Sequence, residues 1–205
     1  RGYLDFALLH GDKECIVFED ERYSYKEVFE KSAQTGNALL KEGISKGDKV
    51  AICMQNNPEF IFAYLGIVGI GAVCVPLNSW WVPSEVIYGL EHSDAKLLFA
   101  DQKRMQGLES LKDVKKIVTS YTPDPLFKSF SDFINEQSIS FPEIEIGRND
   151  PATIYYTSGS TGKPKGVLSS QKAVIATLFS WACFSSIMKE VDNQKDPNSP
   201  PLLDE

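Results

Sequence analysis

The sequence predicts an α/β fold, a mostly parallel β-sheet with helices on both faces. Three observations carry that expectation. Short runs rich in Val, Ile, Leu, Ala and Cys, at residues 50–54, 73–75 and 96–100, lack strict apolar–polar alternation and read as strands buried on both faces. Segments with apolar residues at helical spacing lie between them. Strand–helix–strand order of this kind closes as a parallel sheet through right-handed crossovers, which places helices on its two faces. No internal repeat is visible.

From the beginning of the chain, residues 15–19 alternate toward a short strand, and 23–25 continue it after the charged turn Asp20, Glu21, Arg22. Ser24 followed by Glu27 makes a capping-box pattern, and Val28, Phe29, Ala33, Leu39 and Leu40 then recur at helical spacing. Gly43 is the expected C′ residue of that helix. A strand over 50–54 leads through Asn56 and Asn57 into a helix opened by Pro58. The uncharged run 60–84 is long enough for a membrane span of roughly 20 residues, but Gly66, Gly69 and Gly71 divide it and a β-branched strand over 73–75 follows. It reads as a buried helix and a strand. Trp80 and Trp81 are expected to pack over a sheet edge, because no basic cluster accompanies them.

Pro83 suits a first helical position and Glu85 a first turn, although Val82 is a poor N-cap. That helix should reach about His92, whose imidazole is expected to be a solvated partner of the helix dipole. A strand over 96–100, a short helix over 105–111 and a strand over 116–119 complete this stretch. A Pro-bearing connection with one short helix, 127–135, precedes Asp150. Beyond it come a strand-loop-strand segment and a helix over 172–188, with Val174, Leu178, Trp181, Ala182 and Ser185 near helical spacing. Residues 189–205 turn polar and proline-rich and are expected to form a mobile tail.

Composition narrows the function classes. A chain of 205 residues can bury roughly 70% of its unfolded surface. With 42% hydrophobic residues, 24% charged residues and a net charge of −7, it reads as a globular protein with no general affinity for nucleic acid. Cys15, Cys53, Cys74 and Cys183 show no CxxC pattern and no histidine at ligand spacing, so they read as reduced thiols. With no signal peptide at its start, the chain is expected to be cytoplasmic, or peripheral to a membrane. His10 and His92 are the only histidines, and neither neighbours a G-x-S-x-G elbow, so no nucleophilic triad can be drawn.

Explicit chemistry is concentrated between Ile154 and Ser170, which read IYYTSGSTGKPKGVLSS. Gly159 and Gly162 let the backbone turn its N–H groups toward one point and let an anion approach closely. Thr157, Ser158, Ser160 and Thr161 add hydroxyls, and Lys163 and Lys165 add charge. A lysine about 4 Å from a phosphate oxygen is worth on the order of 4 kcal/mol at an intermediate dielectric. The Walker nucleotide loop does not fit: two residues separate Gly159 from Gly162, and Pro164 stands where its hydroxyl should be. A hydrophilic hairpin tip is the bland alternative, since Gly, Ser and Pro are ordinary turn residues. Order counts against it: Pro164 restrains Lys163 to an extended conformation and leaves an ammonium on either side of a fixed residue.

YTSGSTGKPKGV resembles the phosphate-binding signature of the adenylate-forming family, which includes acyl-CoA synthetases, luciferases and adenylation domains of peptide synthetases. The segments GDKECIVFEDERYSYKEV, KGDKVAICMQNNPEF and GAVCVPLN are similar to the N-terminal part of an acyl-CoA synthetase, so the resemblance covers nearly the whole of residues 1–188. It implies that a phosphate loop over 157–166 grips ATP while a substrate carboxylate attacks the α-phosphate. It implies nucleotide contacts from Thr157, Ser158, Gly159, Ser160, Thr161, Gly162 and Lys165, with Lys163 a more variable neighbour, Lys165 orienting the phosphates and Thr157 a ligand of Mg²⁺. The acid, a fatty acid in this reading, would pass from AMP to coenzyme A. A homodimer is also expected. Gln171 departs from the family pattern, where a histidine is common.

The family's later adenine, ribose and catalytic-lysine motifs have no match, so the chain is read as an N-terminal fragment whose isolated form lacks activity. Two alternatives stay open: an adenylation domain for an amino acid, and a fold that only binds nucleotide or dimerises.

Overall fold

The computed structural model describes residues 9–108, 111, 114–118, 128–158 and 163–193. Strands β1 (Glu14–Phe18) and β2 (Glu21–Ser24) pair antiparallel as expected, with Val17 opposite Arg22 and Phe18 opposite Glu21. Their turn is tighter than the sequence suggests. Glu19 takes a left-handed φ of 49°, so the reversal is complete by Asp20, and Glu21 and Arg22 belong to the strand instead of the turn.

Helix α1 (Tyr25–Lys41) begins and ends where its sequence signals lie. The Ser24 hydroxyl accepts from the Glu27 N–H at 3.2 Å, and the Glu27 carboxylate accepts from the Ser24 N–H at 2.7 Å. At the other end Gly43 has φ +86°, its N–H donates to the Leu40 carbonyl and that of Ile44 to the Leu39 carbonyl, which is a Schellman closure. The Ser24 backbone hydrogen bond, then its hydroxyl, holds the Glu27 carboxyl below its ordinary value. A lowered carboxyl stabilises the fold above its unfolded pKa and loses that contribution as pH falls through the folded value. Ser24→Ala is expected to cost about 1 kcal/mol in urea unfolding at neutral pH. It should also flatten the acid limb of the stability profile below the ordinary Glu value of 4.5.

Among the described residues the central sheet has seven strands, in the order β7-β6-β5-β3-β4-β8-β9. They are β3 (Lys49–Cys53), β4 (Val73–Pro76), β5 (Ala95–Ala100), β6 (Lys115–Val118), β7 (Lys128–Ser129), β8 (Pro151–Thr157) and β9 (Lys165–Ser170). Every neighbouring pair is parallel except β8 with β9. Among the described residues the further helices are α2 (Pro58–Gly69), α3 (Pro83–Ser93), α4 (Gln102–Met105), α5 (Phe130–Ile134) and α6 (Gln171–Asn193).

Side-chain alternation along the buried strands divides the core in two. Val50, Ile52, Leu97 and Phe99 face α1, α2 and α5, packing with Leu39, Phe62, Ile67, Phe130 and Phe133. Ala51, Cys53, Leu98 and Ala100 face α3 and α4, packing with Val86, Leu90 and Met105. Helices therefore cover both faces, as the β/α alternation requires.

Several boundaries differ from the sequence reading. Gly66 and Gly69 do not divide the apolar run 60–84: both lie inside α2, and only Gly71, with φ +75°, sits at its end. The helix expected over 105–111 is instead α4, because the Asp101 carboxylate caps it three residues earlier by accepting from the Arg104 N–H at 3.0 Å. Residues 109, 110, 112 and 113 lie outside the described residues. In the region read as a helix over 127–135, Lys128 and Ser129 pair as a strand, and the Ser129 hydroxyl caps α5 through the Asp132 N–H at 3.1 Å. Helix α6 runs to Asn193, five residues beyond 188, and the remaining tail, 194–205, lies outside the described residues.

Candidate functional site

Strands β8 and β9 form the hairpin expected to carry the glycine-rich loop. Thr157 stands directly opposite Lys165, Tyr156 opposite Gly166 and Tyr155 opposite Val167. Ser158 through Pro164 connect them, and of the predicted site residues Thr157, Ser158, Lys163 and Lys165 are described, all exposed. Gly159, Ser160, Thr161 and Gly162 lie outside the described residues. The loop thus joins two strands, and among the described residues no helix N-terminus stands behind it.

The two faces of the hairpin are unlike. On one, Ile154 and Tyr156 pack on the α3 side of the core. The Tyr156 hydroxyl lies 3.2 Å from the Gly89 carbonyl and 2.9 Å from His92 Nδ1, and the Trp81 ring meets Tyr156 edge-on at 5.5 Å. Burial pushes the Tyr156 phenol above its ordinary value, so it stays a neutral donor. Gly166 leaves room for this packing, since a Cβ there would stand 3.0 Å from Ile154 Cγ2. Across the other face, Thr153, Tyr155 and Thr157 lie beside Ser169, Val167 and Lys165. There Tyr155 meets Tyr64 of α2, whose half-buried phenol is raised well above its ordinary value by desolvation and then by Tyr155.

The two lysines part company at Pro164. Lys163 leans onto α3, its Nζ 5.6 Å from the centre of the Tyr88 ring. Tyr88 also donates its hydroxyl to the Pro164 carbonyl at 3.1 Å. Lys165 belongs by register to the Thr157 face and has no ion-pair partner among the described residues. An ammonium and a hydroxyl that have no partner among the described residues, standing opposite one another at the mouth of a hairpin, suit an anion carried to them. Among the described residues no cluster of three or more His, Cys, Asp or Glu could hold a metal ion. The Thr157 hydroxyl can supply one oxygen, which fits a cation that arrives already bound to phosphates and not one held by the protein alone.

Sequence reasoning missed the α3 contribution. Tyr88 and His92 lie four residues apart, a same-face spacing on a helix, and that was the available signal. His92 is exposed as expected, but its ring engages Tyr156 instead of acting only as a solvated dipole partner. The tryptophans divide: Trp81 packs against the core, whereas Trp80 is 86% exposed and does not pack as expected. Val82 has no capping side chain, and the Glu85 carboxylate, which accepts from its N–H at 3.0 Å, supports the start of α3.

After the hairpin, the Gln171 N–H donates to the Asp150 carbonyl at 2.9 Å and fixes the start of α6. Asp150 pairs with Lys46 at 2.7 Å, and this contact holds its carboxyl below the ordinary value. Of the residues expected at helical spacing on α6, Val174 is half-buried while Leu178, Trp181, Ala182 and Ser185 are exposed, as are Phe179, Phe184 and Ile187 of the same helix. Residues 171–191 are long and apolar enough to cross a membrane by length and composition, the one such helix among the described residues. The run 60–84 does not form such a helix; α2 ends at Gly69.

Comparison with known proteins places the chain in a family and shows the same fold in solved structures. A family profile described as "AMP-binding enzyme" matches residues 5–197. The 4-hydroxybutyrate–CoA ligase 2 of Metallosphaera sedula is 31% identical over 202 residues, covering 92% of this chain and 35% of that protein. An anthranilate CoA ligase solved with anthranoyl-AMP superposes with a TM-score of 0.78 at 27% identity, over 82% of this chain and 34% of that one. For a fatty acyl CoA synthetase of Mycobacterium tuberculosis the TM-score is 0.76 at 26% identity, over 89% and 36% of the two chains. The chain spans about a third of the length of the curated relatives it matches.

Proposed function

The chain belongs to the AMP-binding enzyme family, and we propose on that footing that it is the phosphate-holding part of an acid–CoA ligase. In the first step a carboxylate oxygen bonds to the α-phosphorus of ATP and the bond to pyrophosphate breaks, leaving an acyl-adenylate. In the second, the thiolate of coenzyme A bonds to the acyl carbon and AMP departs. The residues of this chain serve the first step. Thr157, Ser158, Gly159, Ser160, Thr161 and Gly162 would hold the β- and γ-phosphates by hydroxyl and backbone N–H donors, and Lys165 would offset the charge growing on the departing pyrophosphate. Mg²⁺ travels with ATP, and Thr157 would lend it one oxygen.

The observation that carries this reading is the register at the loop mouth, where Lys165, without an ion-pair partner among the described residues, stands opposite Thr157 on one face of a two-strand hairpin. A fatty acid is the proposed acid, on the early segments similar to acyl-CoA synthetases. We place the protein in the cytoplasm, at a membrane surface or free of it, consistent with the free thiols Cys15, Cys53, Cys74 and Cys183. A homodimer is part of the same proposal, supported by the apolar face of α6, and light scattering on the full-length protein tests it.

Acid-dependent exchange of labelled pyrophosphate into ATP tests the activity, with fatty, aryl, short hydroxy and amino acids as a panel. The full-length protein should exchange with a fatty acid and form its CoA thioester, while the 205-residue chain alone should not. Greatest efficiency with an aryl or hydroxy acid would replace the fatty acid and leave the ligase. Exchange with amino acids only would assign a carrier-loading adenylation domain, and no exchange with any acid would overturn the enzyme reading.

A further inference from the structure

We propose that Tyr88 of α3 is a positioning residue for the phosphate loop, setting the course of its second arm through Lys163 and Pro164. The inference rests on the ligase reading above and adds to it a residue outside the glycine-rich motif. Tyr88 reaches the loop twice from one side chain: its hydroxyl donates to the Pro164 carbonyl at 3.1 Å, and its ring underlies the Lys163 ammonium, 5.6 Å from the ring centre. Both contacts fall immediately before Lys165, the first residue of β9.

Tyr88 is itself held in place. Its ring lies 5.3 Å from that of His92, one turn along α3, and His92 meets the Tyr156 hydroxyl at 2.9 Å. The Tyr156 hydroxyl in turn lies 3.2 Å from the carbonyl of Gly89, next to Tyr88 in α3. One helix face therefore grips both strands of the hairpin, β8 through Tyr156 and the approach to β9 through Pro164. A proline carbonyl that accepts a side-chain hydrogen bond is a fixed point, because the ring already restrains φ. With residue 164 pinned and Lys163 drawn toward α3, the chain enters β9 in the register that puts Lys165 opposite Thr157. Tyr88 acts here through the chain, on Pro164 and Lys163. It orders the arm before ATP binds, and such preorganisation shows in the transition state for pyrophosphate departure.

The test uses the full-length protein, with exchange kinetics and MgATP binding by calorimetry measured on the same variants. Tyr88→Leu removes both contacts and is expected to lower kcat/KM for ATP about 10-fold or more. Tyr88→Phe keeps the ring under Lys163 and should lose about 3-fold. The KM for the acid should stay within about 2-fold in both variants. Because Tyr88 acts partly through Lys163, Tyr88→Leu should cost less in a Lys163→Ala background than in the wild type.

Equal kinetics for wild type and Tyr88→Leu would overturn the assignment, as would full additivity of Tyr88→Leu with Lys163→Ala combined with a Tyr88→Phe variant equal to wild type. If the wild type binds MgATP but exchanges with no acid, the ligase reading falls while Tyr88 is judged by calorimetry, where Tyr88→Leu should bind MgATP more weakly than wild type and equal binding would overturn its role. A wild type that binds no ATP overturns both.

Discussion

Lys165→Ala in the full-length protein is expected to slow acid-dependent ATP–pyrophosphate exchange by about 10²- to 10³-fold, the range for losing one preorganised group that meets charge developing in a transition state. The backbone of Lys165 is fixed by its pairing with Thr157, so the side chain starts from a rigid strand end and not from a loop. Its ammonium has no carboxylate partner among the described residues, which leaves its full charge for an incoming anion. At about 4 Å and an intermediate dielectric such a charge is worth on the order of 4 kcal/mol, and solvent at this exposed position reduces that in the open site. Substrate binding would exclude some of that water, so the loss should appear more in kcat than in the KM for the acid. Lys165→Arg, with charge kept but geometry changed, should fall between wild type and Ala. Urea unfolding of Lys165→Ala should match wild type within about 0.5 kcal/mol, since the residue is exposed. Exchange within 2-fold of wild type would remove Lys165 from the site.

Much of the scaffold was legible because its signals are local. Ser24 and Glu27 close a capping box within four residues, Gly43 supplies a left-handed C′ position, and Pro58 and Pro83 open helices by their fixed φ. The β-branched strands Lys49–Cys53 and Val73–Pro76 are continuous in the chain, and burial on both faces follows from their composition. The loop itself was legible as a motif, with Thr157 and Lys165 at its two ends.

What escaped depends on residues far apart in sequence. Tyr88 lies 76 residues from Pro164, and nothing in either segment alone announces that a phenol will meet a proline carbonyl. His92 read as a dipole partner because Tyr156, its actual neighbour, is 64 residues away. Trp80 and Trp81 are adjacent and chemically identical, yet one is 86% exposed and the other packs against Tyr156, a difference made by the direction of the chain entering α3. Helix α6 was recognised from the helical spacing of Val174, Leu178, Trp181, Ala182 and Ser185, yet of these only Val174 is half-buried and the rest are exposed. Periodicity identifies a helix without saying what covers it.

Gly66 was misread for a related reason, and it carries the largest stability effect expected: Gly66→Ala should destabilise the protein by about 2 kcal/mol or more in urea unfolding. Local propensity argues the opposite, since Ala in a helix interior is favoured over Gly by about 1 kcal/mol. Tertiary packing decides. A Cβ at Gly66 would stand 2.8 Å from the Ser32 backbone oxygen and 2.8 Å from Thr35 Cβ. Neither neighbour can swing aside, because one is main chain of α1 and the other is a buried β-branched carbon whose hydroxyl is already bonded to the Lys31 carbonyl at 2.8 Å. The opposite side of the crossing is equally close: a Cβ at Gly36 would lie 2.9 Å from Ile70 Cγ2 and 3.1 Å from the Gly66 carbonyl oxygen. Relief requires α1 and α2 to separate, which loosens the packing of Leu39, Phe62 and Ile67 between them and the sheet. The same movement would carry Tyr64, on α2 two residues before Gly66, away from Tyr155 of the hairpin, so exchange activity should fall along with stability. Should Gly66→Ala instead raise the urea midpoint, helix propensity would have outweighed the crossing, and the close approach of α1 to α2 would be wrong.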